Sequence, residues 1–160
     1  MHLKYGFSAV INNLRPTNNR EFVVNGNQTN LQISNVKFED SRFSISQINF
    51  PIHLEFDFTP VSDYRGKQFF RTHENLRFGV GGFIGFSDET TQYSEISINK
   101  YYTKTETVGD YNTPNFVYGL STYIGYKATS LYLKYDLNTI FRNNIVKQNN
   151  ISLGIRWDLN

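Results

Sequence analysis

Three polar residues at alternate positions of an apolar segment are the strongest candidates for chemistry in this sequence. His53, Glu55 and Asp57 alternate with apolar residues between Ile48 and Phe58, and residues at i, i+2 and i+4 of a β-strand share one face. A histidine beside two carboxylates could bind a metal ion or transfer protons. The same three residues could instead form ion pairs with basic residues on neighbouring strands.

We favour the second interpretation, in which charged residues of several segments meet inside the fold. Each of these residues occupies a polar position in an alternating segment, so all of them can lie on the same side of a sheet. Opposite charges that pair in an interior offset part of the cost of removing them from water. The predicted interior charge network consists of His53, Glu55, Asp57, Arg77, Lys134, Asp136, Arg156 and Asp158.

Other patterns give little support for a catalytic, cofactor or metal site. The chain has three histidines and no cysteine, and its histidines lack the close spacing of common zinc sites. The run from Gly79 to Gly82 superficially resembles a phosphate loop, but no Gly-Lys-Ser/Thr sequence follows it. We interpret these glycines as places of close packing or of sharp strand coiling. No serine lies in a nucleophile-elbow pattern, so we predict a non-enzymatic protein without cofactor or metal.

Alternation of apolar and polar residues defines the segments that must position these charges. The clearest case is the end of the chain, where apolar residues from Ile151 to Leu159 occupy every second position. A two-residue period predicts β-strands with one apolar and one polar face. We predict one domain of about eight strands, approximately at 2–12, 31–38, 43–58, 76–87, within 92–107, 116–126, 131–138 and 151–159.

The predicted connections alternate between long and short along the chain. Long loops are expected at 13–30, 59–75, 107–115 and 140–149, and tight turns at 39–42, 88–91 and 127–129. Outer-membrane barrels have short periplasmic turns and longer external loops. The sequence therefore predicts an antiparallel up-and-down transmembrane β-barrel of about eight strands, with both termini on the periplasmic side.

Two kinds of barrel are compatible with this alternation, and they differ in the direction in which the apolar face points. In a membrane barrel the apolar residues face lipid, and glycines with charges of both signs fill the narrow interior. Aromatic residues near strand ends, such as Phe116 and Trp157, are typical of the interfacial girdles of such barrels. The alternative is a soluble up-and-down β-barrel whose apolar interior binds a lipid or another small apolar ligand.

Composition excludes some partners and leaves others open. The net charge of +2 gives no reason to expect nucleic-acid binding. No apolar run approaches the roughly 18 residues of a transmembrane helix. The chain starts without a signal peptide; for an exported protein we expect that the signal peptide has been removed and that Met1 is an added start.

Several runs of residues resemble a known family. They are Ile48–Phe58, Leu76–Gly85, Tyr118–Ser121, Gly125–Tyr126, Leu131–Leu137 and Asn150–Leu159. Together they resemble the small outer-membrane β-barrel proteins of Bacteroidetes known as the PorT-like family. This resemblance implies a location in the cell outer membrane. It also implies a structural or partner-binding role through extracellular loops, including a role beside the protein-secretion machinery.

Loop residues are the candidates for external contacts. Arg65, Lys67 and Arg71 lie in the second long loop, and Tyr101 and Tyr111 lie near the third. The basic residues could bind phosphates of lipopolysaccharide or an envelope protein, or they could be ordinary solvated charges. The tyrosines could be recognition residues or part of an outer aromatic girdle. The expected partners are outer-membrane lipid, lipopolysaccharide and other envelope proteins.

Overall fold

The regular structure of the protein is β-strand throughout the part of the chain that the computed structural model describes. Those residues are 1–60, 62–64, 67–69, 75–98 and 100–157. No helix among them is long and apolar enough to cross a bilayer. The strands are β1 (His2–Tyr5), β2 (Ser8–Leu14), β3 (Arg20–Asn25), β4 (Gln28–Ile33), β5 (Phe38–Asp57), β6 (Ser62–Tyr64), β7 (Lys67–Phe69), β8 (Leu76–Ile98), β9 (Tyr101–Val108), β10 (Phe116–Tyr126), β11 (Thr129–Thr139) and β12 (Asn149–Trp157).

One antiparallel meander contains most of these strands. Its order is β1-β5-β8-β10-β11-β12, while β2 pairs with β5 and β9 pairs with β8. Strands β1 and β2 follow one another along the same edge of β5, and β10 and β9 follow one another along the same edge of β8. The sheet is therefore six strand positions wide. The all-β, antiparallel prediction is confirmed, and the sheet contains the predicted number of about eight strands, although they occupy only six positions.

Two predicted turns are wrong because long strands run through them. Strand β5 continues through 39–42 and β8 continues through 88–91. The register between these strands shifts between Ile45 and Gln47, and again between Phe38 and Asp40. A bulge changes the phase of alternation without ending a strand, so polar residues around it resemble a turn. The turn at 127–129 is confirmed, and Lys127 adopts a positive φ of 53° there.

The predicted long loops contain short strands of their own. Strands β3 and β4 form a separate two-stranded sheet that includes half of the segment 13–30 and extends to Ile33. Strands β6 and β7 form another within 59–75. The loop at 140–149 is confirmed, because β11 ends at Thr139 and β12 begins at Asn149.

Pro51 explains why the first strand position is divided between β1 and β2. The N–H of Gly6 donates to the carbonyl of Pro51 at 3.3 Å, but proline has no N–H with which to return the bond. The ladder is therefore interrupted between Tyr5 and Ser8, whose partners on β5 are Ile52 and Asn49.

The sheet curls strongly, and its two edges approach each other. On the concave face, Lys134 of β11 reaches Gln47 of β5, three strand positions away, at 3.2 Å. Asn12 of β2 accepts hydrogen bonds from Asn150 and Ser152 of β12 at 3.2 and 3.3 Å. In the described part of the chain no backbone ladder joins β12 to β1 or β2. The edges are bridged by side chains, and the sheet is not closed into a barrel.

A cluster of aromatic and apolar residues fills one end of the concave face. We call this the upper end; it is the end at which β2 finishes and β5 begins. Phe43, Ile45, Tyr111 and Phe141 are buried there. The β3–β4 hairpin packs onto the cluster through Phe22, whose ring centroid lies 4.5 Å from that of Phe43.

Candidate functional site

A buried ionic cluster lies at the lower end of the concave face. Glu55 and Arg77 are both fully buried, and their charged atoms lie 3.8 Å apart. Lys4 approaches the other oxygen of Glu55 at 3.7 Å. The hydroxyl of Tyr123 donates to Glu55 at 2.7 Å, and Arg156 lies over the Tyr123 ring, 4.7 Å from its centroid. Groups from three other strand positions therefore contact one carboxylate.

Two further pairs of polar residues lie above this cluster on the concave face. His53 hydrogen-bonds Ser121 through Nε2 at 2.8 Å, and both residues are buried. Lys134 pairs with Asp136 on the same strand at 3.0 Å. Its ammonium group also lies over the ring of Phe83, 4.6 Å from the centroid. The concave face is thus enclosed and largely ionic, although its upper end is apolar.

The predicted charge network is largely brought together, with two qualifications. Asp57 lies at the lower rim, where it accepts hydrogen bonds from the backbone and the hydroxyl of Thr59 at 2.8 and 2.6 Å. Asp158 lies outside the described residues. Among the described residues, no group of three or more His, Cys, Asp or Glu side chains could hold a metal ion.

Glycines make room for the large side chains of this interior. A Cβ at Gly79 would overlap the ring of Tyr123, and a Cβ at Gly119 would overlap the ring of Phe83. A Cβ at Gly125 would overlap Ser130, which accepts a hydrogen bond from Arg77 at 2.9 Å. The packing interpretation of the run that begins at Gly79 is therefore confirmed.

The convex face of the sheet carries the apolar side chains. Phe50 is 42% exposed, Leu120 58% and Ile155 61%, whereas the residues that alternate with them point into the concave face. We call these exposed residues the apolar band. Its members are Leu3, Tyr5, Phe7, Ile48, Phe50, Ile52, Leu54, Phe56, Leu76, Phe78, Val80, Ile84, Phe86, Phe116, Tyr118, Leu120, Ile124, Tyr126, Leu131, Leu133, Tyr135, Leu137, Ile151, Leu153, Ile155 and Trp157.

The apolar band has a definite height and a polar boundary. Along β5 it runs from Ile48 to Phe56, about 27 Å at roughly 3.4 Å per residue. Above Ile48 the outward positions of the same strand are occupied by Ser46, Ser44 and Arg42. The convex face therefore changes from apolar to polar within one continuous strand.

Above this boundary the convex face carries a charged cluster, which we call the polar extension. Arg42 donates to Asp40 at 2.6 Å and lies 5.2 Å from the ring centroid of Tyr93. Tyr93 donates to Glu95 at 2.7 Å, and Lys104 approaches Glu95 at 3.8 Å. The hydrogen bond from Arg42 holds the pKa of Asp40 below its ordinary value. The hydrogen bond to the Glu95 carboxylate raises the pKa of Tyr93.

The loop residues predicted to make external contacts differ in how exposed they are. Tyr101 is 80% exposed and begins β9, which is exposed along its whole length. Tyr111 departs from the expectation, because it is only 6% exposed and packs edge-on against Phe43 at 5.0 Å. Arg65 and Arg71 lie outside the described residues, and Lys67 is described only as part of β7.

Sequence reasoning missed the upper aromatic cluster and a cleft between the sheet edges. The cluster combines residues of two loops and two strands, so no local period indicates it. The cleft, of about 430 Å³, lies between β12 and the edge formed by β1 and β2. Its lining consists of Lys4, Tyr5, Gly6, Phe7, Ser8, Val10, Pro51, His53, Tyr132, Ile155, Arg156 and Trp157. The interruption at Pro51 was the one local signal that this edge is irregular.

Comparison with protein-family models, with curated proteins and with solved structures found no match to this chain.

Proposed function

We propose that the protein is a non-enzymatic integral protein of the outer membrane of a Gram-negative bacterium. In this proposal the apolar band faces lipid, and the sheet closes into a small barrel around the ionic interior. The observation that carries the proposal is the inverted arrangement of side chains. Apolar residues such as Phe50 and Leu120 point outward, while Glu55 and Arg77 are enclosed.

The solvent that fits this arrangement is a bilayer. A continuous apolar surface of this extent is far larger than the exposed patches of soluble monomers. Barrel strands tilt by about 35–45°, so the apolar band has a height of about 19–22 Å across the membrane, a few ångströms below the roughly 25 Å apolar belt of outer-membrane barrels. A soluble carrier would place its apolar residues inside, so the orientation of Phe50 and Leu120 argues against that alternative.

Closure of the sheet is part of the proposal. Unpaired backbone N–H and C=O groups are costly in lipid, so a bilayer favours pairing between the two edges. Strands β2 and β12 run antiparallel and are already bridged by Asn12, Asn150 and Ser152. A small further approach of their upper halves, at Val10–Leu14 and Asn149–Leu153, would replace these side-chain bridges by a ladder. The lower part of the seam, where Pro51 interrupts the pairing of β5, would stay open beside Trp157.

The interacting surfaces in this proposal are the ends of the strands. The polar extension and the exposed hairpin of β8 and β9, with Tyr101 at its tip, lie beyond the apolar band. They are the regions available to lipopolysaccharide and to other envelope proteins. Resemblance to the PorT-like family supports a role as an accessory to a protein-secretion or transport complex.

Charged substitutions at two depths test the membrane proposal. Leu120→Arg places a charge near the middle of the apolar band, so we expect the folding free energy in lipid vesicles to fall by about 2–4 kcal/mol. Tyr101→Arg is the matched control beyond the band and should cost about 0–1 kcal/mol. Urea titration in vesicles measures both. Equal stability of the two variants, or a wild-type chain that folds as a monomer without detergent or lipid, would contradict the proposal.

A further inference from the structure

The cleft between the sheet edges has a polar inner end and an apolar mouth. At the inner end, Lys4, His53, Tyr132 and Arg156 face the interior. The mouth is formed by Tyr5, Phe7, Ile155 and Trp157, which also belong to the apolar band. The cleft therefore leads from the convex surface to the ionic interior, and its volume of about 430 Å³ lies within the range of small-molecule sites.

The charged side chains that line the cleft, among the described residues, are all cationic. The lining contains two cationic side chains, Lys4 and Arg156, and no acidic residue among the described residues that form it. Both cations are held by neighbouring groups, Lys4 by Glu55 at 3.7 Å and Arg156 by the ring of Tyr123. A guanidinium group held in place in this way suits the two oxygens of a carboxylate.

We propose that this cleft binds a long-chain fatty acid drawn from the surrounding lipid. The carboxylate would lie against Arg156 and Lys4, and the alkyl chain would pass between Phe7 and Trp157 to the apolar band. This inference rests on the proposed membrane location, because the mouth of the cleft opens onto the apolar band. It adds a ligand class that the membrane location does not require.

Trp157 provides a direct readout, because it is the only tryptophan in the chain and forms part of the mouth. The probe is dibromostearic acid, whose bromines quench tryptophan fluorescence at contact, added to the full-length protein in an uncharged detergent. We expect saturable quenching by the acid at low mole fraction. Its methyl ester, which has no negative charge, should quench at least tenfold more weakly.

Variants at the two cations test the role of charge. Arg156→Gln and Lys4→Gln should each raise the Kd for dibromostearic acid about tenfold, which corresponds to about 1.4 kcal/mol. Arg142→Gln is the matched control, because Arg142 pairs with Asp110 at 3.3 Å away from the cleft. It should leave the Kd unchanged.

A blocking variant tests the location without removing a charge. Gly154 pairs with Tyr132 across β11 and β12, and a Cβ at Gly154 would have no atom within 4 Å. Gly154→Phe should therefore fill the inner cleft and abolish saturable quenching, while the β-sheet circular dichroism spectrum is retained.

The two proposals fail in distinguishable ways. Brominated phosphatidylcholine in vesicles reports lipid contact of Trp157 regardless of the cleft. If that lipid quenches Trp157 but the acid and its ester quench equally, or Arg156→Gln and Gly154→Phe have no effect, the fatty-acid site is wrong and the membrane location stands. If brominated phosphatidylcholine does not quench Trp157, the membrane location is wrong and the fatty-acid inference with it.

Discussion

Single residues on the concave face show how charge is accommodated in the interior. Glu55 lies within reach of Arg77, Lys4 and the hydroxyl of Tyr123. An enclosed pair of this kind gives little net stability compared with an apolar pair, but removing one partner is costly because the other charge stays buried. Glu55 therefore constrains the positions of several strands at once.

Substitution of Glu55 tests this account of the interior. Glu55→Gln should lower the free energy of unfolding by about 3 kcal/mol or more, because the buried Arg77 then loses the charged carboxylate 3.8 Å away. Urea titration in vesicles measures the change. The exposed Glu106 is the matched control, and Glu106→Gln should change stability by less than about 0.5 kcal/mol. Similar values for the two variants would show that Glu55 is not enclosed as described.

Glycines give a second prediction for single residues. Gly79→Ala places a methyl group where the ring of Tyr123 lies. The ring must move away from Glu55, and overpacking of this kind typically costs about 1–3 kcal/mol. Gly154→Ala is the control, because that methyl group meets open space; it should cost less than about 0.5 kcal/mol. Thermal unfolding in detergent compares the two, and equal midpoints would contradict the packing account.

At the scale of elements, the long strands β5 and β8 combine an apolar and a polar outward surface in one continuous ladder. Their lower halves carry the apolar band, and their upper halves carry the polar extension. The change occurs beside a bulge, where the register shifts between Ile45 and Gln47. A bulge turns and twists a strand locally, which suits a place where the outward face passes from one environment to another.

The upper aromatic cluster determines how the β3–β4 hairpin is attached. Phe43 is fully buried and contacts Phe22, Tyr111 and Phe141. Phe43→Ala should lower the free energy of unfolding by about 3–5 kcal/mol. Hydrogen exchange should accelerate first in β3 and β4, whose main packing partner is removed. Phe50→Ala, which truncates an exposed residue of the same strand, should leave exchange in β3 and β4 unchanged; equal acceleration in both variants would contradict the attachment.

At the scale of the whole molecule, the proposed membrane location predicts that parts of the chain within the apolar band lie deeper in lipid than parts beyond it. Tryptophan reporters in a Trp157→Phe background test it. Phe50→Trp lies within the band, and Tyr93→Trp lies in the polar extension. Brominated phosphatidylcholine should quench the first reporter several-fold more strongly than the second. Equal quenching would show that the change of polarity along β5 and β8 does not mark a membrane boundary.

The sequence alone determined that the chain forms antiparallel β-strands and which residues of a strand share one face. Alternation at Ile48–Phe58 or Ile151–Trp157 fixes which side chains share a face, because successive residues of a strand point in opposite directions. For this reason the antiparallel sheet and the division of charges from apolar residues could be predicted. The partners within the charged set could not be predicted, since Glu55 and Tyr123 are 68 residues apart.

Only the tertiary structure decided how far the strands extend, how strongly the sheet curls and how closely its two edges approach each other. The polar halves of β5 and β8 resemble turns in sequence, and only pairing with a neighbour shows that the strands continue. The burial of Tyr111 and the cleft beside Trp157 depend on how far the sheet curls. Curling brings together residues from opposite ends of the chain, such as Asn12 and Asn150, and a two-residue period contains no information about that approach.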